Sequence, residues 1–439
     1  MSDEMPDELS LLVEKLVYGG DGLAHADGDT VFVPYVLPGE QVSATVRQRK
    51  KKLVWADLKN VTSASAQRTK PACPHFGVCG GCHYQHIFQE EQVRLKKEIL
   101  RETLSRIGGI AWTGPITEHS GEPYGYRNRA QWAVRPGLPR ALGYYLPESS
   151  TIVPIDACPV LSPMLAQTFQ ELQNLVRAGS LPAEMKEIEA FADSSDTKIA
   201  LNVALSAFAK PAQELARAFQ SALPQLESLL LLDQKKNRFE LTGPGFLMHE
   251  AGGYRFRVGH LSFFQVNRFL LEDLLKTVVA KASGEFALDL YAGVGFFSLP
   301  LVKTFGRVVA VDANLAATRD LQANAEDAGL AVTSNNLHVE DFLKNFKEKP
   351  EFVVLDPPRT GLGVSAAAKL AELAAPELAY LSCDPSTLAR DLAVLTQSSR
   401  VPPDAKAGGA RYEIAEIHFF DLFPQTFHIE TFVRLRLAP

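Results

Sequence analysis

The segment Asp289-Leu-Tyr-Ala-Gly293-Val-Gly295-Phe-Phe-Ser298 has the pattern of a strand end, a glycine turn and a helix start. Its glycines allow a tight turn and a close approach of the backbone to a ligand. A Gly-x-Gly pair alone is also compatible with a nicotinamide or flavin nucleotide, or with an ordinary strand–helix turn. Two details favour S-adenosylmethionine: a carboxylate precedes the turn, and Ser298 replaces the third glycine of the dinucleotide fingerprint.

Apolar runs of strand length flank this turn and alternate with helical patterns such as Ala316–Ala328. The alternation predicts an α/β fold with a parallel sheet and helices on both faces. Ligands of such sheets bind beyond the carboxyl ends of the strands, where Asp312, Asp356 and Cys383 are expected. Asp312 is suited to accept hydrogen bonds from ribose hydroxyls. The runs are Phe286–Tyr291, Arg307–Val311, Phe352–Asp356 and Leu378–Ser382.

The motif Asp356-Pro-Pro-Arg359 places a carboxylate, held rigidly by two prolines, at a strand end. A related Asn/Asp-Pro-Pro-aromatic motif serves amino-group methyltransferases, in which the aromatic side chain stacks on the target base. Arg359 stands at that position here, which favours a ring carbon over an exocyclic amine as the methyl acceptor. Methylation of an exocyclic amine stays open as an alternative.

Cys383 and Glu430 are the candidate reactive side chains. The amides of a helix that begins after Cys383 should favour its thiolate, although a small buried hydrophobe is the common alternative. Glu430 stands just before the strand-like run Thr431–Leu435. Beside a nucleophile it would be a candidate general base, and by itself a solvated carboxylate. His428 is interpreted as a packed ring rather than as a second proton carrier.

Four other cysteines complete the set of five. Cys73, Cys79 and Cys82 form Cys-x5-Cys-Gly-Gly-Cys, and Cys158 follows far downstream in Ala-Cys-Pro-Val. In a reducing compartment such thiols more often bind metal than form disulfides. Cys-x2-Cys spacing suits zinc as well as an iron–sulfur cluster, so both ligands stay open at this point.

Basic and aromatic residues recur in the amino-terminal half. Residues 9–65 show short strands separated by glycine turns, which suggests a small OB-like barrel. Its cations, together with Trp55 and Tyr35, indicate either an RNA-binding surface or a solvated loop. Arg127 and Arg129 allow the same two interpretations. The barrel cations are Arg47, Arg49, Lys50, Lys51, Lys52 and Lys59.

A helix is predicted over 89–107 and a mixed sheet over 123–259. Leu95, Ile99 and Leu104 recur at helical spacing in the helix. Basic side chains, Lys96 among them, cover its other face, and the pair Gly108-Gly109 ends it.

Composition limits the class of protein. The 439 residues carry a net charge of -6 and include 46% hydrophobic and 22% charged residues, as in an ordinary soluble globular protein. No apolar run is long enough to span a bilayer, and the acidic start Met1–Glu4 lacks the features of a signal peptide. A cytoplasmic monomer is therefore expected. The negative charge argues against a general nucleic-acid coat but permits a local basic face.

Taken in order, these motifs resemble those of RNA (uracil-5)-methyltransferases, as do Phe263-Phe-Gln265-Val-Asn267 and Phe423-Pro-Gln-Thr-Phe-His-Ile-Glu430. The chain is most similar to the iron–sulfur 23S rRNA (uracil-C5)-methyltransferase branch, which carries an N-terminal TRAM domain. The resemblance implies a TRAM (OB-like) RNA-binding barrel over 1–66 and a central domain over 67–258 with the four-cysteine site. It also implies a Rossmann-like methyltransferase domain over 259–439, on which helix 89–107 could pack.

The resemblance further implies a chemical role for individual residues. Cys383 would be the nucleophile that adds to uracil C6, and Glu430 would be the base that removes the C5 proton. A [4Fe-4S] cluster would be held by Cys73, Cys79, Cys82 and Cys158. S-adenosylmethionine would be bound or flanked by Gln265, Tyr291, Gly293, Gly295, Asp312, Asp341 and Asp356.

Two positions depart from the family pattern, which often has Cys-Gly-x-Gly-Asn in the glycine loop. Ala292 in place of cysteine should be neutral. Phe296 removes an amide that would touch the cofactor, so it should weaken cofactor binding. The implied substrate is structured RNA, with 23S rRNA first. A tRNA uridine is one alternative, and a non-catalytic RNA-binding assembly factor with a decayed pocket is another.

Overall fold

The computed structural model describes residues 8–137, 139–401 and 409–439, so Met1–Glu4 lies outside the described residues. The chain divides into two compact units. The first contains the described residues up to Glu102, together with Tyr144–Val153 and Phe423–His428. The second contains those of Thr103–Gly143, Pro154–Leu422 and Ile429–Pro439. These units divide the chain differently from the three predicted domains, whose boundaries stay a prediction.

The first unit is built mainly from six strands and the greater part of one helix. They are β1 (Glu8–Leu12), β2 (Lys15–Leu16), β3 (Asp21–Ala26), β4 (Asp29–Pro34), β5 (Gln41–Lys50), β6 (Leu53–Ser63) and α1 (Gln89–Arg106). The strands form one sheet in the order β1-β5-β6-β4-β3-β2, with a core of small side chains such as Val33 and Val42. The predicted short strands are confirmed, while the OB-like or TRAM type stays a prediction.

Helix α1 confirms the helix predicted over 89–107. Leu95, Ile99 and Leu104 are buried, as their spacing predicts. The expectation that Lys96 lies on an exposed basic face is wrong, because its side chain is fully buried. Its ammonium group donates a hydrogen bond to the carbonyl of Phe423 at 3.1 Å. A buried cation requires such partners, since an unpaired charge is costly away from water.

The elements that follow in the chain include the strands of the mixed sheet predicted over 123–259, which is confirmed. They are β7 (Ile116–His119), β8 (Arg129–Arg135), β9 (Ala141–Tyr145), β10 (Ile152–Pro154), α2 (Pro163–Arg177), β11 (Met185–Ala192), β12 (Ile199–Leu205), α3 (Ala212–Ala222), β13 (Leu226–Asp233), β14 (Arg238–Thr242), β15 (Phe246–Ala251) and β16 (Tyr254–Gly259). Seven strands pair in the order β10-β9-β8-β11-β12-β13-β14. Strands β12 and β13 run parallel, and β11 is antiparallel to both of its neighbours. Strands β15 and β16 form a separate hairpin.

The remaining elements form the predicted α/β region. They are α4 (Leu271–Val279), β17 (Gly284–Leu290), α5 (Ser298–Leu301), β18 (Phe305–Val311), α6 (Leu315–Asp327), β19 (Thr333–Asn335), α7 (Val339–Asn345), β20 (Phe352–Leu355), α8 (Gly363–Leu373), β21 (Glu377–Ser382), α9 (Pro385–Leu395), β22 (Tyr412–Phe420) and β23 (Glu430–Leu437). The sheet order is β19-β18-β17-β20-β21-β23-β22-β7.

The direction of these strands decides where the polar side chains meet. The first five strands in this order run parallel, so their carboxyl ends share one edge of the sheet. Strand β23 runs antiparallel to β21, so β23 begins at that same edge. Within the described residues, no helix combines the length and apolar character that crossing a bilayer requires.

Candidate active site

Strand register brings the two candidate reactive side chains together. In the pairing of β21 with β23, Ser382 lies opposite Thr431. Cys383 is the next residue after β21, and Glu430 is the residue before Thr431, so the register places Cys383 opposite Glu430. Glu430 is only 3% exposed, and Cys383 is half-buried. The predicted nucleophile therefore has a buried carboxyl group as its neighbour.

Both groups favour their neutral forms in this site. Burial raises the pKa of the Cys383 thiol to about 12, and the nearby carboxyls of Glu430 and Asp356 add to the rise, whereas Arg359 opposes it. Burial also holds the pKa of Glu430 well above its usual range, and Asp356 contributes to that shift. A low dielectric and neighbouring like charges both disfavour the ionised form.

The expectation that helix amides favour the Cys383 thiolate is therefore wrong in direction. The Asp384 carboxylate accepts hydrogen bonds from the amides of Ser386 at 2.8 Å and Thr387 at 3.0 Å. This N-cap engages the first amides of α9 and places another negative charge beside the thiol. Ionisation of Cys383 near neutral pH then requires a bound cation or substrate that lowers the pKa of the thiol.

Asp356 lies between the thiol and the glycine turn along the sheet edge. It follows β20, the strand between β17 and β21, and burial raises its pKa to about 7. The Gln265 amide donates a hydrogen bond to the Asp356 carboxylate at 3.1 Å. The structure thus brings together two of the residues predicted to bind or flank the cofactor.

The glycine turn and Asp312 form the next part of the edge. The backbone amide of Gly293 donates to one Asp312 oxygen at 2.8 Å, and the amide of Asn314 donates to the other at 2.7 Å. Gly293 has a φ of +54° with open space around its Cα, whereas a Cβ at Gly295 would lie 2.7 Å from Leu299. Glycine at 293 thus serves the backbone conformation, and glycine at 295 also serves close packing.

Ser298 and Asp289 explain the two details that distinguish this turn from a dinucleotide fingerprint. The Ser298 hydroxyl donates a hydrogen bond to the Asp289 carboxylate at 2.5 Å. Burial raises the pKa of Asp289 to about 7. This contact joins the end of β17 to the start of α5, so the residue in place of the third glycine has a structural partner.

Two adjacent acids behave differently at the start of α7. The Tyr291 hydroxyl donates to the Glu340 carboxylate at 3.4 Å. The predicted cofactor residue Asp341 has a 60% exposed side chain that pairs with Lys344 at 2.7 Å. That pair lowers the pKa of Asp341. The role of Asp341 stays a prediction, and Glu340 is a site neighbour that the sequence analysis missed.

Phe296 packs into an aromatic cluster instead of facing solvent. Its ring lies 5.0 Å from that of Phe297 and 5.5 Å from those of Phe256 and Phe264. Only 6% of Phe296 is exposed. The residue that departs from the family pattern therefore supports the glycine turn through packing.

The cysteine-rich segment differs in character from this edge. Cys73, Cys79 and Cys82 lie in the first unit, outside helices and strands, and Cys158 lies in the second unit. None of these four cysteines forms a disulfide. Burial raises the pKa of Cys79, although a hydrogen bond from the Gly81 amide opposes the shift. In the part of the chain that the structure describes, no three potential ligands are grouped closely enough to hold a metal ion.

The candidate RNA-binding cations are also divided. Arg47, Arg49 and Lys59 pair with acidic side chains, whereas Lys50–Lys52 are exposed around the β5–β6 turn. In the second unit, Arg127, Arg129 and the 62% exposed Phe263 line a cavity of about 530 Å³, in which Arg129 pairs with Glu189 at 2.7 Å. The mixture of cations and an exposed ring suits a nucleic-acid surface.

A thiol opposite a buried carboxyl, beside a glycine turn suited to a nucleotide-type ligand, defines an α/β group-transfer enzyme. Residues 247–437 match the tRNA (Uracil-5-)-methyltransferase family. The 23S rRNA (uracil(1939)-C(5))-methyltransferase RlmD of Halomonas elongata is 34% identical, with 97% of this chain and 89% of the relative aligned. An uncharacterized RNA methyltransferase of Thermotoga maritima is 30% identical, with 96% and 98% aligned. The chain belongs to the RNA (uracil-5-)-methyltransferase family, which confirms the resemblance.

A solved structure supports the same architecture. The Pyrococcus abyssi tRNA (uracil-54, C5)-methyltransferase, in complex with S-adenosyl-L-homocysteine, superposes with a TM-score of 0.75 at 22% identity. The match covers 97% of this chain and all of that one. It confirms the predicted Rossmann-like methyltransferase fold.

Proposed function

We propose that this enzyme transfers a methyl group from S-adenosylmethionine to C5 of a uridine in 23S rRNA. The Halomonas elongata relative is named for that reaction. The observation that carries the chemical part of the proposal is the strand register that sets Cys383 opposite Glu430. Substitution at C5 of a pyrimidine requires at least one nucleophile and one proton acceptor from the protein, both within reach of the same ring.

The proposed reaction begins with addition of the Cys383 sulfur to C6 of the uracil. A C–S bond forms, and the displaced electron pair makes C5 nucleophilic enough to accept the methyl group that S-adenosylmethionine supplies. Glu430 then takes the proton from C5. The electrons of that C–H bond restore the C5–C6 double bond as the C–S bond breaks and its electron pair returns to sulfur, which regenerates the Cys383 thiolate and a planar ring.

The acidic edge of the sheet suits a cationic methyl donor. Asp289 and Asp356 both have a pKa raised to about 7, and Asp312 follows the neighbouring strand. A bound sulfonium would favour the ionised form of the nearby carboxyls and of the Cys383 thiol. The loaded site thus gains the thiolate that the cofactor-free site disfavours. The proposed cofactor residues are Gln265, Tyr291, Gly293, Gly295, Asp312 and Asp356, with Asp341 as a further predicted one.

Two basic regions are the proposed RNA contacts. Lys50–Lys52 would bind the phosphate backbone, and Arg127 with Phe263 would hold nucleotides near the site. The target base has to leave its stack to reach Cys383, which is least costly in looped or single-stranded RNA.

We also propose that the loop cysteines bind a [4Fe-4S] cluster, with Cys158 as the predicted fourth ligand. The support is the spacing of four cysteines, none of which forms a disulfide. Anaerobically purified protein should show broad visible absorption and contain iron, and Cys158→Ala should lose most of both. Stoichiometric zinc without visible absorption would favour the alternative metal.

Tritium release tests the reaction itself. RNA labelled with tritium at uridine C5 should release label during methylation, and 23S rRNA should be a better substrate than tRNA. Glu430→Gln should form a denaturation-resistant RNA–protein adduct and release it slowly. Methylation without tritium release would instead indicate an exocyclic amine. Absence of S-adenosylmethionine binding in a calorimeter, with or without RNA, would indicate a non-catalytic RNA-binding protein.

A further inference from the structure

The loop Phe423–His428 ends two residues before Glu430 and contains no helix or strand. Its conformation therefore depends on side chains and on other segments rather than on a regular hydrogen-bond ladder. In the first unit this loop is grouped with the six-stranded sheet, the cysteine-rich segment and α1 up to Glu102. Its described contacts identify which residues fix it.

Gln92 on α1 contacts this loop through both ends of its side-chain amide. Its side-chain oxygen accepts a hydrogen bond from the backbone amide of Gln425 at 3.0 Å. Its side-chain nitrogen lies 3.1 Å from the Gln425 side-chain oxygen and also contacts the carbonyls of Ile87 at 2.8 Å and Tyr84 at 3.1 Å. Gln92 is fully buried, so these bonds have no water to replace them.

The segment directly after Cys82 binds the same loop at the backbone carbonyl of Gln425. The backbone amides of His83 and Tyr84 both donate to the Gln425 carbonyl, at 2.8 Å and 2.9 Å. The His83 ring lies 4.6 Å from the ring of Phe427. Gln425 itself has a φ of +69°, a conformation that a non-glycine residue adopts only when its surroundings enforce it.

We propose that Gln92 is a positioning residue for Glu430, acting through the loop Phe423–His428. The amides of His83 and Tyr84, and Lys96 through the Phe423 carbonyl, also hold this loop. The inference rests on the proposed function, in which Glu430 removes the C5 proton. Because that proton leaves after the methyl group has transferred, a misplaced Glu430 slows release of the adduct and leaves formation of the adduct largely unchanged.

The test variant is Gln92→Met, which keeps the length of the side chain and removes its hydrogen bonds. The matched control is Gln173→Met in the second unit. Gln173 is also fully buried, accepts from the Leu142 amide at 2.8 Å and donates to the Ile155 carbonyl at 2.7 Å. Gln173 lies on α2, which has no part in the proposed site. Gln425→Asn is a milder variant that shortens one side chain and tolerates the positive φ.

The readout is the ratio of RNA–protein adduct to methylated product in single turnover on a 23S rRNA transcript. Gln92→Met should slow adduct release by about tenfold, since small misplacements of reacting groups have effects of that order or larger. Gln425→Asn should slow it severalfold, and Gln173→Met should match the wild type even if both buried variants melt at lower temperature. An adduct ratio for Gln92→Met and Gln425→Asn equal to that of Gln173→Met would overturn the inference.

Glu430→Gln is the reference variant that distinguishes failure of the positioning role from failure of the proposed function. If Glu430→Gln accumulates adduct and Gln92→Met does not, the positioning role fails and the proposed function stands. If Glu430→Gln also accumulates none, the proposed role of Glu430 itself fails, and the positioning role fails with it.

Discussion

The two cysteine-containing regions of this chain acquire their geometry in different ways. Cys383 lies at the end of a regular strand, and the pairing of β21 with β23 sets it opposite Glu430. Cys73, Cys79 and Cys82 lie outside regular secondary structure, where individual contacts such as the bond from the Cys73 amide to Gln85 fix the chain. Strand register thus sets the geometry of the Cys383–Glu430 pair, whereas individual contacts set that of the three loop cysteines.

The largest expected difference between the regions is in turnover. Cys383→Ala should lower the methylation rate by at least about 10⁴-fold, because no covalent adduct can form. Cys82→Ala should lose the proposed cluster and lower the rate by only about tenfold, through the loop that precedes Glu430. Single-turnover methylation measures both rates, and cofactor binding by calorimetry shows that the variants are folded.

An active Cys383→Ala enzyme would exclude the covalent route and remove the contrast between the regions. Equal losses in the two variants, with iron still bound to Cys82→Ala, would assign Cys82 a role in the chemistry rather than in support of the fold.

Packing of Phe296 should stabilise the glycine turn at the carboxyl edge of the sheet. Phe296→Asn restores the residue type common in the family but places an amide in an aromatic cluster. We expect it to lower the free energy of unfolding by about 3 kcal/mol, the usual cost of truncating a buried aromatic ring. Phe296→Leu should cost about 1 kcal/mol. Urea unfolding measures both, and a stable Asn variant with tighter cofactor binding would restore the amide interpretation.

A smaller effect should appear in the pH dependence of cofactor binding. Asp356 has a pKa of about 7, so its carboxylate form increases about tenfold between pH 6 and pH 8. Affinity for S-adenosylmethionine should rise by up to about that factor, and affinity for S-adenosylhomocysteine, which lacks the sulfonium charge, should change less. Asp356→Asn should flatten the profile more than Asp289→Asn, whose carboxyl also has a pKa of about 7.

The same raised pKa has the opposite consequence for stability. A carboxyl whose pKa is higher in the folded protein than in the unfolded chain stabilises the fold most when it is protonated. The cofactor-free enzyme should therefore lose stability as the pH rises through 7, and saturating cofactor should reduce that loss. A binding affinity that falls between pH 6 and pH 8 would contradict the assignment of Asp356 to the cationic end of the cofactor.

The same contrast explains what could be predicted from the sequence. Strand-length apolar runs predict β17, β18, β20 and β21, and motifs at their ends predict Cys383, Asp356 and Glu430. The roles of Gln92 and Lys96 could not be predicted, because Gln92 and Gln425 are separated by 333 positions and no local pattern connects them. The direction of the Cys383 pKa was wrong for a similar reason, since Glu430 and Asp356 reach it only through the fold.

The smallest expected effect distinguishes two adjacent acids at the cofactor edge. Glu340 accepts the Tyr291 hydroxyl, whereas Asp341 is exposed and pairs with Lys344. Glu340→Gln should weaken cofactor binding by about threefold, the scale of one modest hydrogen bond, and Asp341→Asn by less than about twofold. Titration calorimetry at pH 8 measures both. A larger loss for Asp341→Asn would mean that Asp341 leaves Lys344 and binds the cofactor, as the family resemblance implies.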